Sequence, residues 1–275
     1  MNIEAKFELL ITEIKSVSAL AREYFDSEDF VNEQKKDGSV VTRIDKEIET
    51  RLRSFVEEHF PQDSIVGEEH DDVEGESGYV WHIDPIDGTD NFLRKIPFCA
   101  VSVARLGDTT EGSFGIVHNP ITNHTFASLM DGGSYENKRV VTMTPEPLGG
   151  KYTISMGRGR EPWMSPAGKQ LIAAVDAEFG KGKSYGSTAL ELAYLSAGRI
   201  DGFITFGLNT YDYGAGLYLV RAAGGAISVL EDDVWKLWEG TIKDLCNHHG
   251  KTIFASHPDV HERMRDFIGD PKQWA

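Results

Sequence analysis

WHIDPIDGTDNF, residues 81–92, joins an apolar strand pattern to a turn and a helix start. The strand signal ends at Asp84, Pro85 turns the chain, Asp87 follows three residues after Asp84, and Gly88 and Thr89 lead into a helix. Ligands of sheet proteins gather at the carboxyl ends of strands, and the first turn of a helix offers unpaired N–H groups to an anion. Carboxylates and an anion repel unless a cation lies between them. The segment therefore points to Mg²⁺ bridging Asp84 and Asp87 to a phosphate ester. Taken alone, the same residues also describe a turn with Asp as cap and Gly at positive φ. Counting removes two other readings. Phosphatases of the haloacid dehalogenase type need DxDGT, with the two Asp residues two apart, whereas Asp84 and Asp87 are three apart. An EF-hand loop needs oxygen ligands at alternate positions, and Asp84, Ile86 and Gly88 do not supply them.

Upstream of this stretch, Phe7, Leu10, Ile11, Ile14, Val17, Ala21, Tyr24 and Phe25 recur at helical spacing, with Glu4, Glu8, Glu13 and Glu23 on the other face. A membrane-surface helix carries a Lys/Arg belt instead, so core packing is the expectation. Ile44, Ile48, Leu52, Phe55 and Val56 mark a second helix, with Thr42 and Asp45 suited to its first turn and Pro61 beyond its end. Short apolar runs follow at 79–84, 98–106, 113–118 and 124–129, separated by Gly, Asp, Asn and Pro. Helices followed by strands suggest helices packed on a largely antiparallel sheet. TPEPLGG, residues 144–150, reads as a boundary; beyond it the strands YTISM and DGFITF alternate with helices around Leu171 to Phe179, 187–197 and from about 212. The expected division is an N-terminal α+β half, 1–147, and a C-terminal α/β half, 148–275.

The chain's 275 residues include 40% hydrophobic and 26% charged residues, which fits a folded globular protein. A net charge of -16 disfavours contact with a phosphate backbone or an anionic membrane, so nucleic acid and membrane are not expected partners. Cys99 and Cys246 lie far apart, which argues against a disulfide scaffold. With no basic leader and no apolar run of spanning length, a cytoplasmic location is expected. Cys246, His248 and His249 lack a fourth zinc ligand, and a solvent-facing loop is the expectation there. Arg158, Arg160, Lys181 and Lys183 read as surface charge or as a steering patch for an anion.

Two further segments gain meaning beside residues 81–92. IVGEEHDD places Glu68 and Glu69 after a short apolar run, and LNTYDYGAGLYLVRAAGG puts Asp212 ahead of a small-residue helix. By themselves they are an acidic loop and a helix cap. In this order with WHIDPIDGTDNF, over nearly the whole chain, they resemble the inositol monophosphatase superfamily. Its members show GEE, then W-x-x-D-P-x-D-G-T-x-N-F, then W-D-x-A-A-G ending in E-A-G-G. The third segment departs from this pattern, with Tyr211 for Trp and Gly214 for Ala, but Asp212 is retained.

The resemblance implies a layered αβαβα sandwich of the inositol monophosphatase and fructose-1,6-bisphosphatase kind. It implies hydrolysis of a small sugar, inositol or related alcohol phosphate by water that Mg²⁺ activates. Glu68, Asp84, Asp87, Asp212 and the carbonyl of Ile86 would hold the metal. Four converging carboxylates agree with that: each pair at ~4 Å repels by about 4 kcal/mol at an effective dielectric of 20. KDGSVVTRID, residues 36–45, is similar to a further family segment, which implies that Asp45 and Thr89 orient the attacking water; Thr42 and Asp45 also suit plain helix capping. Glu68 would share in catalysis. Asp87, Gly88, Thr89, Gly186, Ser187, Thr188, Thr205 and Asp212 would line the substrate pocket. The resemblance also allows a homodimer and implies inhibition by Li⁺. Histidinol phosphate is an alternative substrate, against which Asn91, where such enzymes often have Ser, leans; a regulatory binding protein that keeps the fold is an alternative of another class. Inositol phosphate enzymes carry a Glu seven residues before the third-segment Asp. Thr205 occupies that position here, and no acidic residue lies between Gly202 and Tyr211, so weak preference for inositol phosphate is expected, with Asn209 and Thr210 as further pocket candidates.

Overall fold

The computed structural model describes residues 1–27, 32–34, 40–129, 133–143, 151–158, 166–231, 234–247 and 252–268. The opening apolar stripe becomes α1 (Ile3–Asp26), which buries Phe7, Leu10, Ile14, Val17, Ala21 and Phe25. A two-stranded ribbon, β1 (Asn32–Gln34) with β2 (Val40–Thr42), leads into α2 (Arg43–His59). Then come β3 (Ser64–Gly67), β4 (Val80–Asp87), α3 (Thr89–Leu93), β5 (Ala100–Leu106), β6 (Phe114–Asn119), β7 (His124–Leu129), β8 (Ser134–Glu136) and β9 (Arg139–Val141). These seven strands, β3 to β9, lie in chain order in one sheet, antiparallel except where β3 runs parallel to β4.

The rest of the chain builds a second sheet from β10 (Tyr152–Arg158), α4 (Pro166–Phe179), β11 (Gly180–Lys183), α5 (Thr188–Ser196), β12 (Gly202–Phe206), α6 (Thr210–Ala222), β13 (Ala226–Glu231), β14 (Val234–Leu237), α7 (Ile242–Cys246), β15 (Ile253–Ser256) and α8 (Pro258–Ile268). Its strand order is β11-β10-β12-β15-β13-β14, with β10 parallel to β11 and β12 and the other pairs antiparallel.

Side-chain alternation along the strands stacks the layers. On one face of the first sheet Trp81, Ile83, Val101 and Val103 pack with the apolar stripes of α1 and α2. On its other face Ala100, Ala104, Val117 and Phe126 share a core with Leu190, Leu192, Leu217 and Leu219 of α5 and α6, and that core continues to Phe203, Ile227, Val229 and Ile253 of the second sheet. Beyond, Ile154, Met156 and Ile204 pack against Val175, Phe179, Val260 and Met264 of α4 and α8. The result is an αβαβα sandwich with α5 and α6 in the middle layer. The small residues of α6 are what that position demands: a Cβ on Gly216 would fall 2.5 Å from the Leu192 side chain, and one on Gly115 of β6 would fall 2.7 Å from the Ala215 carbonyl.

Local expectations fail in two places. The strand does not end at Asp84 but runs through Pro85 to Asp87, because a bulge absorbs the proline. Cys246 is not on a solvent-facing loop; it closes α7 and is buried, its thiol pKa pushed well up by that burial. The 144–150 boundary, Arg160, His248 and His249 lie outside the described residues, as do the side chains of Arg158 and Lys181.

Candidate metal centre

Two residues of a regular strand spaced three apart point to opposite faces. Asp84 pairs with Ser102 and Asp87 with Ala100, so β4 spends three residues where β5 spends two. That one-residue bulge turns both carboxylates to the same side of the sheet, the side that receives α6. The first turn of α6 carries Asp212, and one carboxylate oxygen from each of Asp84, Asp87 and Asp212 lies within 4.8 Å of the others. A hydrogen bond between Thr210 Oγ1 and His82 Nδ1, 2.9 Å, ties that turn to β4 beneath the cluster.

Asp212 is a helix cap and a cluster member at once. Asn209 is the N-cap, and its backbone N–H donates to Asp212 Oδ2 at 2.8 Å. Asp45 repeats the arrangement on α2: its Oδ2 accepts the Thr42 backbone N–H at 2.9 Å and the Thr42 hydroxyl, while its Oδ1 is buried without a partner. Asp87 is held by the start of α5, its Oδ2 accepting the Ser187 hydroxyl at 2.6 Å and the Ala189 N–H at 2.7 Å. The Ile86 N–H donates to Asp84 Oδ1 at 3.0 Å, and the Ile86 carbonyl accepts the Thr89 hydroxyl at 3.0 Å. Thr89 and Asp45 are not hydrogen-bonded to each other among the described contacts.

Loop geometry brings α5 to this point. Gly88 has φ +88°, and a Cβ there would lie 2.8 Å from the Gly186 carbonyl, so only glycine combines this turn with this approach. Asn91 Nδ2 donates to the carbonyls of Phe98 (2.8 Å) and Tyr185 (2.6 Å), pinning the Gly186 loop beside Gly88. The loop of Gly186 and Ser187 is thereby brought beside Gly88 and Asp87. Thr205 is fully buried, its hydroxyl unpartnered, and Thr210 is buried against His82, whereas Asn209 is exposed.

Burial, and then the charges of Glu68, Asp87, Asp212 and Asp45, hold the Asp84 carboxyl well above the usual carboxylate range. Burial raises Asp87 to about 7 against the opposing bonds from Ser187, Ala189 and Thr188, with Glu68 adding to the rise. Asp45 is also pushed to about 7, by burial against the Thr42 bonds, with Glu69 and Glu68 contributing. Glu68, at the end of β3, thus belongs to the same field. So many like charges withdrawn from water require protons or a cation. A donor set made only of oxygens, with a buried Asp45 oxygen left over, fits a hard divalent ion such as Mg²⁺.

The residue-by-residue reading missed two buried acids. Glu191 is 1% exposed, accepts the Tyr185 and Gly186 N–H groups on Oε1 at 2.5 and 3.1 Å, and is raised to about 8, chiefly by burial. Glu49 is fully buried beneath the loop that carries Glu68. Their signal was present: an acid inside the apolar run ALELA, and Asp45, Glu49 and Arg53 at four-residue steps along one helix face.

Residues 5–264 match the inositol monophosphatase family. The Nus factor SuhB of Escherichia coli K12 is 33% identical over 217 residues, covering 78% of this chain and 80% of that protein. The inositol-1-monophosphatase of Bacillus subtilis is 30% identical over 227 residues, covering 82% of each. Among solved structures, the extragenic suppressor protein suhB from Bartonella henselae superposes with a TM-score of 0.80 at 26% identity, covering 96% of this chain and 98% of that one.

Proposed function

We propose that this chain, which belongs to the inositol monophosphatase family, is a Mg²⁺-dependent phosphomonoesterase acting on a small alcohol phosphate. The observation that carries this reading is the convergence of Asp84, Asp87 and Asp212 within 4.8 Å, in the field of Glu68. Glu68, Asp84, Asp87, Asp212 and the Ile86 carbonyl would hold the metal. When bound, Mg²⁺ offsets the charge of the phosphate and makes water more acidic. Asp45, with Oδ1 unpartnered and a carboxyl near 7, is suited to take a proton from water at neutral pH. The Thr89 hydroxyl, which donates to Ile86, keeps lone pairs for orienting that water. Gly88, Thr89, Gly186, Ser187 and Thr188 would border the phosphate, beside Asp87, which Ser187 holds.

On the alcohol side the proposal is weak discrimination. A charged acceptor for substrate hydroxyls is worth ~1.5 to 3 kcal/mol, and the residue in its place, Thr205, is buried. Histidinol phosphate stays among the candidates, and Li⁺ sensitivity and a homodimer are part of the same reading. A second reading, a regulatory factor working through a macromolecular partner, draws on the relatives named Nus factor SuhB; the assembled acidic cluster favours the enzyme. Phosphate release from inositol 1-phosphate, histidinol phosphate, glycerol phosphate and AMP, with Mg²⁺ and with EDTA, tests both. Release with Mg²⁺ that spreads across the panel is expected. No release from any substrate would overturn the enzyme reading, and a hundredfold preference for inositol phosphate would overturn the specificity reading alone.

A further inference from the structure

Glu68 stands on a loop among charges that repel it, so something other than the metal must keep it there before the metal arrives. The loop leaves β3 at Gly67 and is closed by a pair of hydrogen bonds between Ile65 and Val73, 2.8 and 2.9 Å. Its interior is filled by one ion pair from α2. Glu49 accepts the Glu69 N–H on Oε2 at 2.7 Å and the His70 N–H on Oε1 at 3.2 Å. Arg53 Nε donates to Glu49 Oε1 at 2.8 Å, and its two terminal nitrogens donate to the carbonyls of Asp71 (2.9 Å) and His70 (3.1 Å). A Cβ on Gly67 would lie 2.1 Å from Glu49 Oε1 and 2.6 Å from Arg53 Nη2, so the loop closes on the pair only because residue 67 is glycine. Glu49 is 0% and Arg53 8% exposed.

A buried ion pair is expensive unless its remaining hydrogen-bonding capacity is met, and here all of the partners named above belong to this one loop. The Glu68 backbone is thereby flanked by the close packing of Gly67 on the pair and by the bond from the Glu69 N–H. We propose that Glu49, supported by Arg53, is the positioning residue for Glu68, holding its loop in the metal-binding geometry. This rests on the reading that Glu68 belongs to a Mg²⁺ site. Groups that orient metal ligands typically account for 10- to 100-fold in metal affinity.

The test compares the full chain with Glu49→Gln, titrating MgCl₂ by calorimetry and following amide hydrogen exchange of residues 68–71. The variant is expected to bind Mg²⁺ about 10- to 100-fold more weakly and to exchange faster at Glu69 and His70. A merely structural pair would lower thermal stability and leave Mg²⁺ affinity at the native value, and a folded variant behaving so overturns the proposal. If Glu49→Gln fails to fold, Arg53→Lys, which keeps the charge but not the fork to the two carbonyls, is expected to show the same loss at smaller size; native affinity and exchange there overturn it equally. Absence of Mg²⁺ binding by the unaltered chain would instead sink the metal reading, while the exchange data would still report whether the pair holds the loop.

Discussion

The Ser187 hydroxyl donates to Asp87 Oδ2 at 2.6 Å across 100 residues of chain, joining the start of α5 to the bulge of β4. The Ala189 N–H reaches the same oxygen, and Oδ1 takes neither bond. One oxygen of the carboxylate is thus committed to the fold.

Removing that hydroxyl has a signed consequence. The Ser187 bond works against burial, which holds Asp87 at about 7, so Ser187→Ala should push the carboxyl higher still. Metal binding needs the ionised form. The pH at which Mg²⁺ affinity falls off on the acid side should move up in the variant, measured by calorimetry from pH 5 to 9. An unchanged profile would show that Ser187 contributes shape rather than charge stabilisation.

Asp84 should be costly to the metal-free protein. Its folded carboxyl lies above the ordinary value of 3.8, so its destabilising share grows as pH rises through that value and goes on growing for as long as the folded group stays protonated while the unfolded one is ionised. In EDTA at neutral pH, Asp84→Asn should melt roughly 2 to 6 °C higher than the unaltered chain and should lose Mg²⁺ binding. A lower melting temperature in EDTA would mean that the carboxylate is paid for by bonds within the fold.

Thr89→Ala separates metal binding from turnover. If the hydroxyl orients water, the loss appears in kcat, by about 10²- to 10⁴-fold, with Mg²⁺ affinity retained. Its bond to the Ile86 carbonyl offers the contrary outcome. Loss of metal affinity together with activity would make Thr89 a support for that carbonyl.

Two buried histidines outside the carboxylate cluster set an acid limit on stability. His118, bonded to Thr125, and His261, bonded to Ser228 and Ser256, are lowered to about 4, in both chiefly by burial. Both are neutral when folded and protonate near 6.5 when unfolded. The unfolded state therefore binds more protons between pH 6.5 and 4, and stability falls as pH falls through that window, by about 1.4 kcal/mol per pH unit for each group. Urea unfolding across the window should show a shallower decline for His118→Asn and for His261→Asn than for the unaltered chain. Equal slopes would place the acid sensitivity elsewhere.

Local periodicity was enough for the helices and strands that bury a stripe: α1, α2 and β4 to β7 each show their core residues in the order of the chain. It was not enough where one residue answers to two demands. Pro85 signals a turn to a local reading, and only pairing with β5 keeps it inside a bulged strand. Glu49 looks like one more acid on a charged helix, and only the loop folded over it makes it a buried acceptor.

What the sequence by itself determined was the chemistry available: carboxylates in three segments, glycines where the chain turns, and apolar stripes that commit each segment to helix or strand. These follow from spacing, which is a property of neighbours in the chain. The tertiary structure alone decided which oxygens meet. Asp84 and Asp87 share a face because of a register shift against β5, Asp212 joins them because α6 packs on that face, and Ser187 secures Asp87 because Gly88 lets α5 approach. Such contacts span from 100 to 128 residues between Asp87 and Ser187 and between His82 and Thr210. No local pattern encodes them, since they depend on how two sheets and the helices between them share one core.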